Sequence, residues 1–470
     1  MKVFHLSVEC FPVAKVGGLA DVVGALPRYQ RQLGVDSSVV MPWYDLPFTK
    51  DHKWELVGTG SIYQGSELIT YNVYKESVDS LGFPLYTLKI EGKLDRNEVY
   101  GYADEGEQWI AFQHAFLDWL CSSDIQLDII HCHDHHTGLI PFLIQYGNDF
   151  KKISKVKTVF TVHNGQYQGK MNWNKGILLP AFDTWKWGLL DWDGMINSLA
   201  AAVKCTNAFT TVSEGYLQEL FIEANGLESL FRHEAAKGYG IVNGIDATYW
   251  NPALDTLIPN KYCIDDAQQG KLLNKEAFCQ RVGLPAELPL VSYIGRFALE
   301  KGADLLPVVI EKLFATSSEV AVYVLGSGDS DLQSRLAELA IKHADRLAVY
   351  FGYNEALAHE VYAASDMLLM PSRVEPCGLN QLYALKYGTI PIVRAIGGLR
   401  DTVKDISQDE GYGFVFNNIN TQEIVNTIGR ALDQFDSSDW QLITQRAMQL
   451  DFSWDKSAKK YIDLYYQLLK

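Results

Sequence analysis

The sequence predicts an α/β protein built from two Rossmann-like, doubly wound domains, and three observations carry that expectation. Short β-rich apolar runs alternate with longer helical patterns along the chain, the signature of βαβ units around parallel sheets. The alternation comes as two series, separated by turn-rich sequence between roughly residues 240 and 260. Several of the runs stop abruptly in polar or glycine turns, which is where an open parallel sheet places its ligands. A chain of 470 residues is also too long for one ordinary core.

The first series opens with an apolar run at residues 2–8, a turn carrying Pro12, Lys15, Gly17 and Gly18, and then Leu19, Val22, Val23 and Leu26 at helical spacing. A strand feeding glycines at a helix N-terminus makes an anion site, because backbone N–H groups can approach a phosphate and the helix dipole favours negative charge. Lys15 adds an ammonium beside it. The pattern is neither GxGxxG nor a Walker loop, and a glycine turn with no ligand is an equal reading. Further strands are expected at 38–41, 129–131 and 158–161. The second series is expected at 290–294, 320–325, 347–351, 367–370 and 390–393. The closing segment, 452–469, puts Ala458, Tyr461, Ile462, Tyr465 and Leu468 on one helical face, an amphipathic helix with something to cover. The expected division is 1–243, 244–451 and a C-terminal helix, 452–470, crossing back onto the first domain, with a ligand cleft between the two sets of strand ends.

Composition narrows the function. Lysine and arginine number 41 against 57 acidic residues, a net charge of −16, which argues against a nucleic-acid or membrane-surface partner while leaving room for a local cationic cleft. With neither a leader pattern nor a long uncharged apolar run, a cytoplasmic protein is expected. The seven cysteines are odd in number, scattered and without CxxC spacing, so reduced, mostly buried thiols are expected rather than disulfides or zinc ligands.

The chemistry-bearing residues follow the strand ends. His131-Cys-His-Asp-His-His136 comes directly after an apolar run. Its tightly packed histidines alternate in direction and lack a separate spacing to complete a coordination sphere, which disfavours a metal. Asp134 as a partner for a substrate hydroxyl, or the whole cluster as a helix cap, are the readings left. His163, Asn164 and Gly165 repeat the arrangement one strand later. Two successive strand ends offering His, Asp and Asn point to a polyol such as a sugar. In the second series Arg296 and Lys301 flank one strand-to-helix turn with Gly302, so both cations could converge on a diphosphate whose departure develops charge. Glu375 precedes Pro376, Cys377, Gly378 and a helix beginning near Asn380. It is read as a ligand for a substrate hydroxyl, with a helix-dipole partner as the alternative. Cys377 lacks a nearby histidine, which favours a lining thiol over a nucleophile. Gly397-Gly398 echoes the first glycine pair, and Tyr353 follows a strand where it could stack on a base. Trp173, Trp185, Trp187 and Trp192 crowd one stretch; packing accounts for most of them, with a glucan track as the competing reading.

Taken in order, seven stretches resemble the bacterial glycogen synthase and plant starch synthase family, retaining glucosyltransferases of the GT-B fold. They are Lys15-Val-Gly-Gly-Leu-Ala-Asp21, His133-Asp134 with His136-Thr-Gly-Leu139, Val162-His-Asn164, Val242-Asn-Gly-Ile-Asp246, Gly295-Arg296 with Lys301-Gly302, Glu375-Pro-Cys-Gly-Leu379 and Gly397-Gly-Leu399. The resemblance implies elongation of an α-1,4-glucan (glycogen or a maltooligosaccharide) from ADP-glucose, with no metal and no cofactor. It implies an acceptor side on the first domain and donor binding on the second. By the same resemblance Lys15, Gly17, Gly18, Arg296 and Lys301 hold the diphosphate, while Asp134, His163, Asn164 and Glu375 hold the glucosyl unit. Cys377, Gly378 and Leu379 line the sugar with backbone N–H groups, Tyr353 stacks on adenine, and Tyr100 is the family's cleft tyrosine. Val16, His135 and Asn380 depart from the family's usual Thr, Trp and Thr. Retention without an evident nucleophile implies front-face attack, Glu375 as nucleophile being the competitor; ligands spread over both halves imply domain closure. A UDP-sugar transferase, a non-catalytic glucan-binding protein and an oxidoreductase are the rivals, the last disfavoured by the missing GxGxxG.

Overall fold

In the computed structural model, which describes residues 1–317 and 319–470, the chain divides into two units, Met1–Gly244 with Trp454–Lys470, and Ile245–Ser453.

The first unit is built on a nine-stranded sheet. Lys2–Leu6 lies in its middle, paired in parallel with Asp36–Pro42 on one side and Ile129–His133 on the other. Beyond Ile129–His133 come Lys157–Val162, Ala208–Thr211 and Gly238–Gly240, all parallel. Beyond Asp36–Pro42 come Leu85–Lys89 and an antiparallel hairpin, Glu67–Glu76 with Trp54–Gln64. The central strands are buried from Val3 to Leu6 and from Ile129 to His133 because helices cover both faces of a parallel sheet. The chain order reverses on the two sides of Lys2–Leu6, a topological switch point, so the loops after Leu6 and His133 are where a ligand belongs.

Where expectation and structure differ, the cause is local. The first strand ends at Leu6 rather than residue 8, because the Ser7 hydroxyl donates to the Glu9 carbonyl and accepts its N–H, folding the backbone into a turn. The edge hairpin has no counterpart in the sequence reading. Its strand Glu67–Glu76 buries Ile69, Tyr71 and Val73 on one face and leaves a mixed polar face outside, so it lacks the continuous apolar run of its neighbours.

The helix Trp454–Leu469 returns to this unit and packs on the helix Gly18–Gln32. Trp454, Ala458, Tyr461, Ile462 and Tyr465 are buried against Val3, Val22, Leu26, Tyr29 and Ile129, the apolar stripe meeting the first helix and the central strands. The stripe also carries polar ends inward: the Tyr465 hydroxyl accepts from Gln30 Nε2 at 3.1 Å and lies 2.6 Å from His131 Nδ1.

The second unit holds six parallel strands in the order Leu347–Phe351, Ala321–Gly328, Leu290–Phe297, Met367–Met370, Ile390–Arg394 and Phe414–Phe416. Its switch point falls between Leu290–Phe297 and Met367–Met370, so the loops after Phe297 and Met370 face its ligand position. The buried Lys271 side chain braces this unit: its Nζ lies 2.8 Å from Thr389 Oγ1 and 3.2–3.3 Å from the carbonyls of Tyr362, Ala363 and Tyr387, shared among helix-end acceptors that would otherwise be orphaned. Among the described residues no helix is long and apolar enough to cross a membrane.

Tyr461→Ala should lower the stability of the first unit by about 3 kcal/mol through the cavity it leaves. Denaturant melts followed by circular dichroism will report this; a change within a few tenths of a kcal/mol would contradict the packing described for the C-terminal helix.

Candidate active site

At the first switch point, the loop after Leu6 carries Glu9, and its carboxylate organises the glycine turn. Glu9 Oε2 accepts the backbone N–H groups of Val16 at 2.6 Å and Gly17 at 2.8 Å, and Oε1 accepts the Tyr100 hydroxyl at 2.6 Å. The helix then begins at Gly18 with Gly17 as its N-cap. Of the two amides expected to meet a phosphate, that of Gly17 is therefore held by an internal carboxylate, together with that of Val16. Glu9 escaped the sequence reading, although an acid between a strand end and a proline-bearing turn, six residues before Lys15, was a usable signal. A Cβ on Gly17 or Gly18 would meet nothing within 4 Å, so no packing demand explains these glycines and the backbone stays open to approach. Lys15 Nζ lies 2.7 Å from Asp21 Oδ1.

Tyr100 is placed by more than Glu9: its ring stacks on His136 at 5.2 Å, and burial first, then the Glu9 charge, pushes its hydroxyl well above the ordinary range. Asp134, at the end of Ile129–His133, has φ +56°, a conformation that costs a non-glycine residue energy and is kept here by its surroundings. Its Oδ1 accepts the His163 N–H at 2.7 Å and the Asn164 N–H at 3.4 Å, so the structure brings Asp134, His163 and Asn164 together. Burial pushes the Asp134 carboxyl up to about 7, against the pull of those two N–H groups and with a small push from Glu9.

Behind these residues runs a line of buried histidines. His163 Nε2 lies 3.0 Å from His133 Nδ1, His133 Nε2 3.0 Å from His5 Nδ1, and His5 Nε2 2.8 Å from Gln30 Oε1. His131 beside them is bonded to Tyr465 at one nitrogen and to Thr161 Oγ1, at 2.6 Å, at the other. Nitrogens of His5, His131 and His133 lie within 4.8 Å of one another, close enough to raise a cation site. Both ring nitrogens of each of these three are already engaged in hydrogen bonds, so an ion would have to break the network to find its ligands. The sequence reading of residues 131–136 as a cap or substrate partner divides accordingly. His131 and His133 are interior, and Asp134 and His136 line the loop.

In the second unit, Lys301 and Glu375 meet. Lys301 Nζ lies 2.7 and 2.8 Å from the two Glu375 carboxylate oxygens, and Ser372 Oγ donates to Oε2 at 2.9 Å. Glu375 is buried and fastened to a cation from the neighbouring loop, and the helix after it runs Asn380–Lys386. Gly302, at φ +65°, lets the two loops meet, since a Cβ there would collide with the Pro371 carbonyl. Gly397 and Gly398 serve the same purpose. A Cβ on either would strike the backbone of Glu375 or Cys377, and Gly398 N donates to the Glu375 carbonyl, so this pair is a packing joint. Cys377 is buried, with its carbonyl taking the Gln381 amide, and Gly378 at φ +73° leads into Leu379, the N-cap of the next helix. The Arg296 side chain is 70% exposed and pairs with Glu300 at 2.9 Å. Tyr353 is 76% exposed, its hydroxyl on Glu355 Oε2 at 2.8 Å. Of the tryptophans, Trp173 and Trp192 pack with their indole N–H groups bonded to Asp191 and the Gly226 carbonyl, while Trp185 and Trp187 are exposed. Asn380, one of the departures from the family pattern, donates to the Ile294 carbonyl at 2.7 Å and ties its helix to the central strand.

Comparison with known proteins agrees along the whole chain. Residues 2–233 match the family described as starch synthase catalytic domain, and residues 274–440 match glycosyl transferases group 1. A glycogen synthase of Flavobacterium johnsoniae is 47% identical, covering 99% of this chain and 98% of its own. One from Geobacillus thermodenitrificans is 37% identical over 100% of this chain and 98% of its own. The catalytic domain of starch synthase IV from Arabidopsis thaliana, solved bound to ADP and acarbose, superposes with a TM-score of 0.89 at 31% identity, covering 100% of this chain and 99% of that one.

Burial holds His5 at about 4 and His163 at about 3, with His131 and His133 well below the usual imidazole range. Because unfolded histidines titrate near 6.5, the unfolded chain binds more protons than the folded one as pH falls below that value. The stability these groups confer is complete above about pH 6.5 and is lost as pH falls toward their folded values. Asp134 has the opposite sign, its contribution present below about 3.8 and lost as pH rises through about 7. The histidines outnumber it, so the melting midpoint should fall as pH is lowered from 6.5 to 5, with about two or more protons taken up on unfolding. Calorimetry across that window checks this; a flat midpoint would mean that these rings are not buried neutral.

Proposed function

The chain belongs to the glycogen and starch synthase family of glycosyltransferases, and on that premise we propose that it transfers glucose from ADP-glucose to the non-reducing end of an α-1,4-glucan, releasing ADP with retention of configuration. The observation that carries this reading is that the motif residues of each unit gather at the carboxyl-end switch point of its own sheet, donors and acceptors for hydroxyls in the first, a paired ammonium and carboxylate in the second.

In this reading Lys15 and the Gly17–Gly18 turn from one unit, and Arg296 and Lys301 from the other, hold the diphosphate and stabilise the charge that develops as ADP leaves. Asp134, His163 and Asn164 hold the glucosyl hydroxyls; Glu375, with the amides of Cys377, Gly378 and Leu379, holds the far side of the sugar. Tyr353, standing exposed after Leu347–Phe351, stacks on the adenine. Tyr100 sets the floor of the site through His136 and Glu9. The acceptor 4-hydroxyl attacks C1 as the C1–O bond to ADP breaks, and its proton passes to a phosphate oxygen of the leaving ADP. Front-face attack is supported by the state of Glu375: both its oxygens face the Lys301 ammonium and one also takes the Ser372 hydroxyl, which ties up the lone pairs a nucleophile would need. Domain closure belongs to the same proposal, since it would exclude water from the donor.

Transfer of radiolabelled glucose to glycogen, from ADP-glucose and from UDP-glucose in parallel, tests the reading. ADP-glucose should be the better donor, and Glu375→Ala and Lys301→Ala should each cut turnover by roughly a thousandfold with an unchanged circular dichroism spectrum. Near-normal turnover in either variant removes its assigned role. Asp134 accepts hydroxyl protons as a carboxylate, so kcat/KM should fall on the acid side with an inflection near pH 7. Asp134→Asn should lower the rate and erase that inflection; an unaltered pH profile in this variant would assign the inflection to another group.

A further inference from the structure

We propose that Gln30, acting through His5 and His133, fixes the tautomer of His163 so that its Nδ1 meets the glucosyl donor as a hydrogen-bond acceptor for one hydroxyl. This deepens the functional reading above and rests on its placement of His163 against the sugar.

Proton counting along a buried line of rings assigns each tautomer in turn. Gln30 turns its Oε1 toward His5 and Ser37, at 2.8 and 2.5 Å, and its Nε2 toward Tyr465. A carbonyl oxygen only accepts, so His5 Nε2 carries the proton. A neutral imidazole has one N–H, which leaves His5 Nδ1 as an acceptor. It lies 3.0 Å from His133 Nε2, so that nitrogen must donate and His133 Nδ1 must accept. His133 Nδ1 lies 3.0 Å from His163 Nε2, which therefore carries the N–H. The lone pair of His163 is left at Nδ1, for which the described residues supply no hydrogen-bond partner. One proton per ring is secured by burial, which holds all three histidines neutral near pH 7.

The same amide sets a second branch. Gln30 Nε2 donates to the Tyr465 hydroxyl, which then gives its proton to His131 Nδ1, and His131 Nε2–H donates to Thr161 Oγ1. Thus one glutamine on the first helix and one tyrosine on the C-terminal helix polarise both lines of buried rings. The hydrogen bond at one ring nitrogen decides what the other offers, and here the decision is made three residues away from the sugar and before it arrives. Gln30 and His133 are positioning residues: they act on the donor only through His163.

The test begins with the intact chain labelled with 15N-histidine. Imidazole 15N shifts at neutral pH, with the His163 signals assigned by their loss in His163→Gln, report which nitrogen holds the proton. Nε2–H on His163, His133 and His5 is expected; Nδ1–H on His163 overturns the proposal, whatever the activity. The second measurement uses donors that each lack one glucosyl hydroxyl. In the wild type the analogue missing the hydroxyl received by Nδ1 should lose about tenfold or more in kcat/KM. In Gln30→Met, which keeps the volume and removes the amide, the 15N shifts of His163 should show mixed tautomers and that one analogue's penalty should shrink about tenfold. A loss shared equally by all donors would mark Gln30 as merely structural and overturn the proposal. His163→Ala separates the two readings: if it leaves every analogue's penalty unchanged, His163 does not touch the sugar. The functional placement then fails, and the donor half of the proposal with it, even when the 15N shifts bear out the relay. Should Gln30→Met not fold, the wild-type tautomer still decides.

Discussion

The first unit depends on satisfying polar side chains in the middle of a parallel sheet. His5, His131, His133, Thr161 and Thr210 sit on adjacent central strands, fully out of water. A buried donor or acceptor left unpaired costs more than an ordinary hydrogen bond contributes, so these groups must pair with one another or with the helices that cover them. They do so in two lines, one from Gln30 through His5 and His133 to His163 and one from Tyr465 through His131 and Thr161 to Thr210. Those lines explain why the C-terminal helix returns to the first unit with Tyr465, rather than an aliphatic residue, at that place on its buried face. They also fix where the strand ends point, and Asp134 can hold its left-handed backbone because its carboxylate is anchored on the His163 and Asn164 amides.

The second unit solves a different problem, holding charge at the end of a sheet. Lys301 and Glu375 belong to loops that meet only because Gly302 lacks a Cβ, and the Glu375 loop is seated in turn on Gly397 and Gly398. Elsewhere the cations expected to bind phosphate lean on acids of their own unit: Lys15 on Asp21 and Arg296 on Glu300. Pairs this exposed are worth little in water, so a diphosphate bound as proposed would exchange them at small cost. The Lys301–Glu375 pair is more buried and better bonded, which suits a carboxylate that positions rather than attacks.

Much of this was legible in the chain. The strands at 347–351 and 367–370 coincide with the observed ones, and the five residues named on the closing amphipathic face are its buried or half-buried side. These are long-run periodicities, set by which side of an element must leave water. The motif residues could be located at strand ends for the same reason. Gln30 and His5 went unread as functional residues because each is a polar residue in an otherwise apolar or helical run, with no local pattern to separate it from a surface group, whereas Glu9 was marked by its place before a proline-bearing turn. The two glycine pairs looked alike in sequence and differ in space: Gly17–Gly18 faces open ground, whereas Gly397–Gly398 faces backbone.

The sequence by itself determined the alternation of strands and helices, the two-part division and the residue types at each strand end, because these follow from periodicity and turn chemistry within a few residues. Only the tertiary structure decided which of those groups meet: Lys301 with Glu375 across 74 residues, His133 with His5 across 128, and Gln30 with Tyr465 across 435. Such pairings are a matter of sheet order and of the demand that buried polar atoms be satisfied, and neither is written into any local stretch of chain.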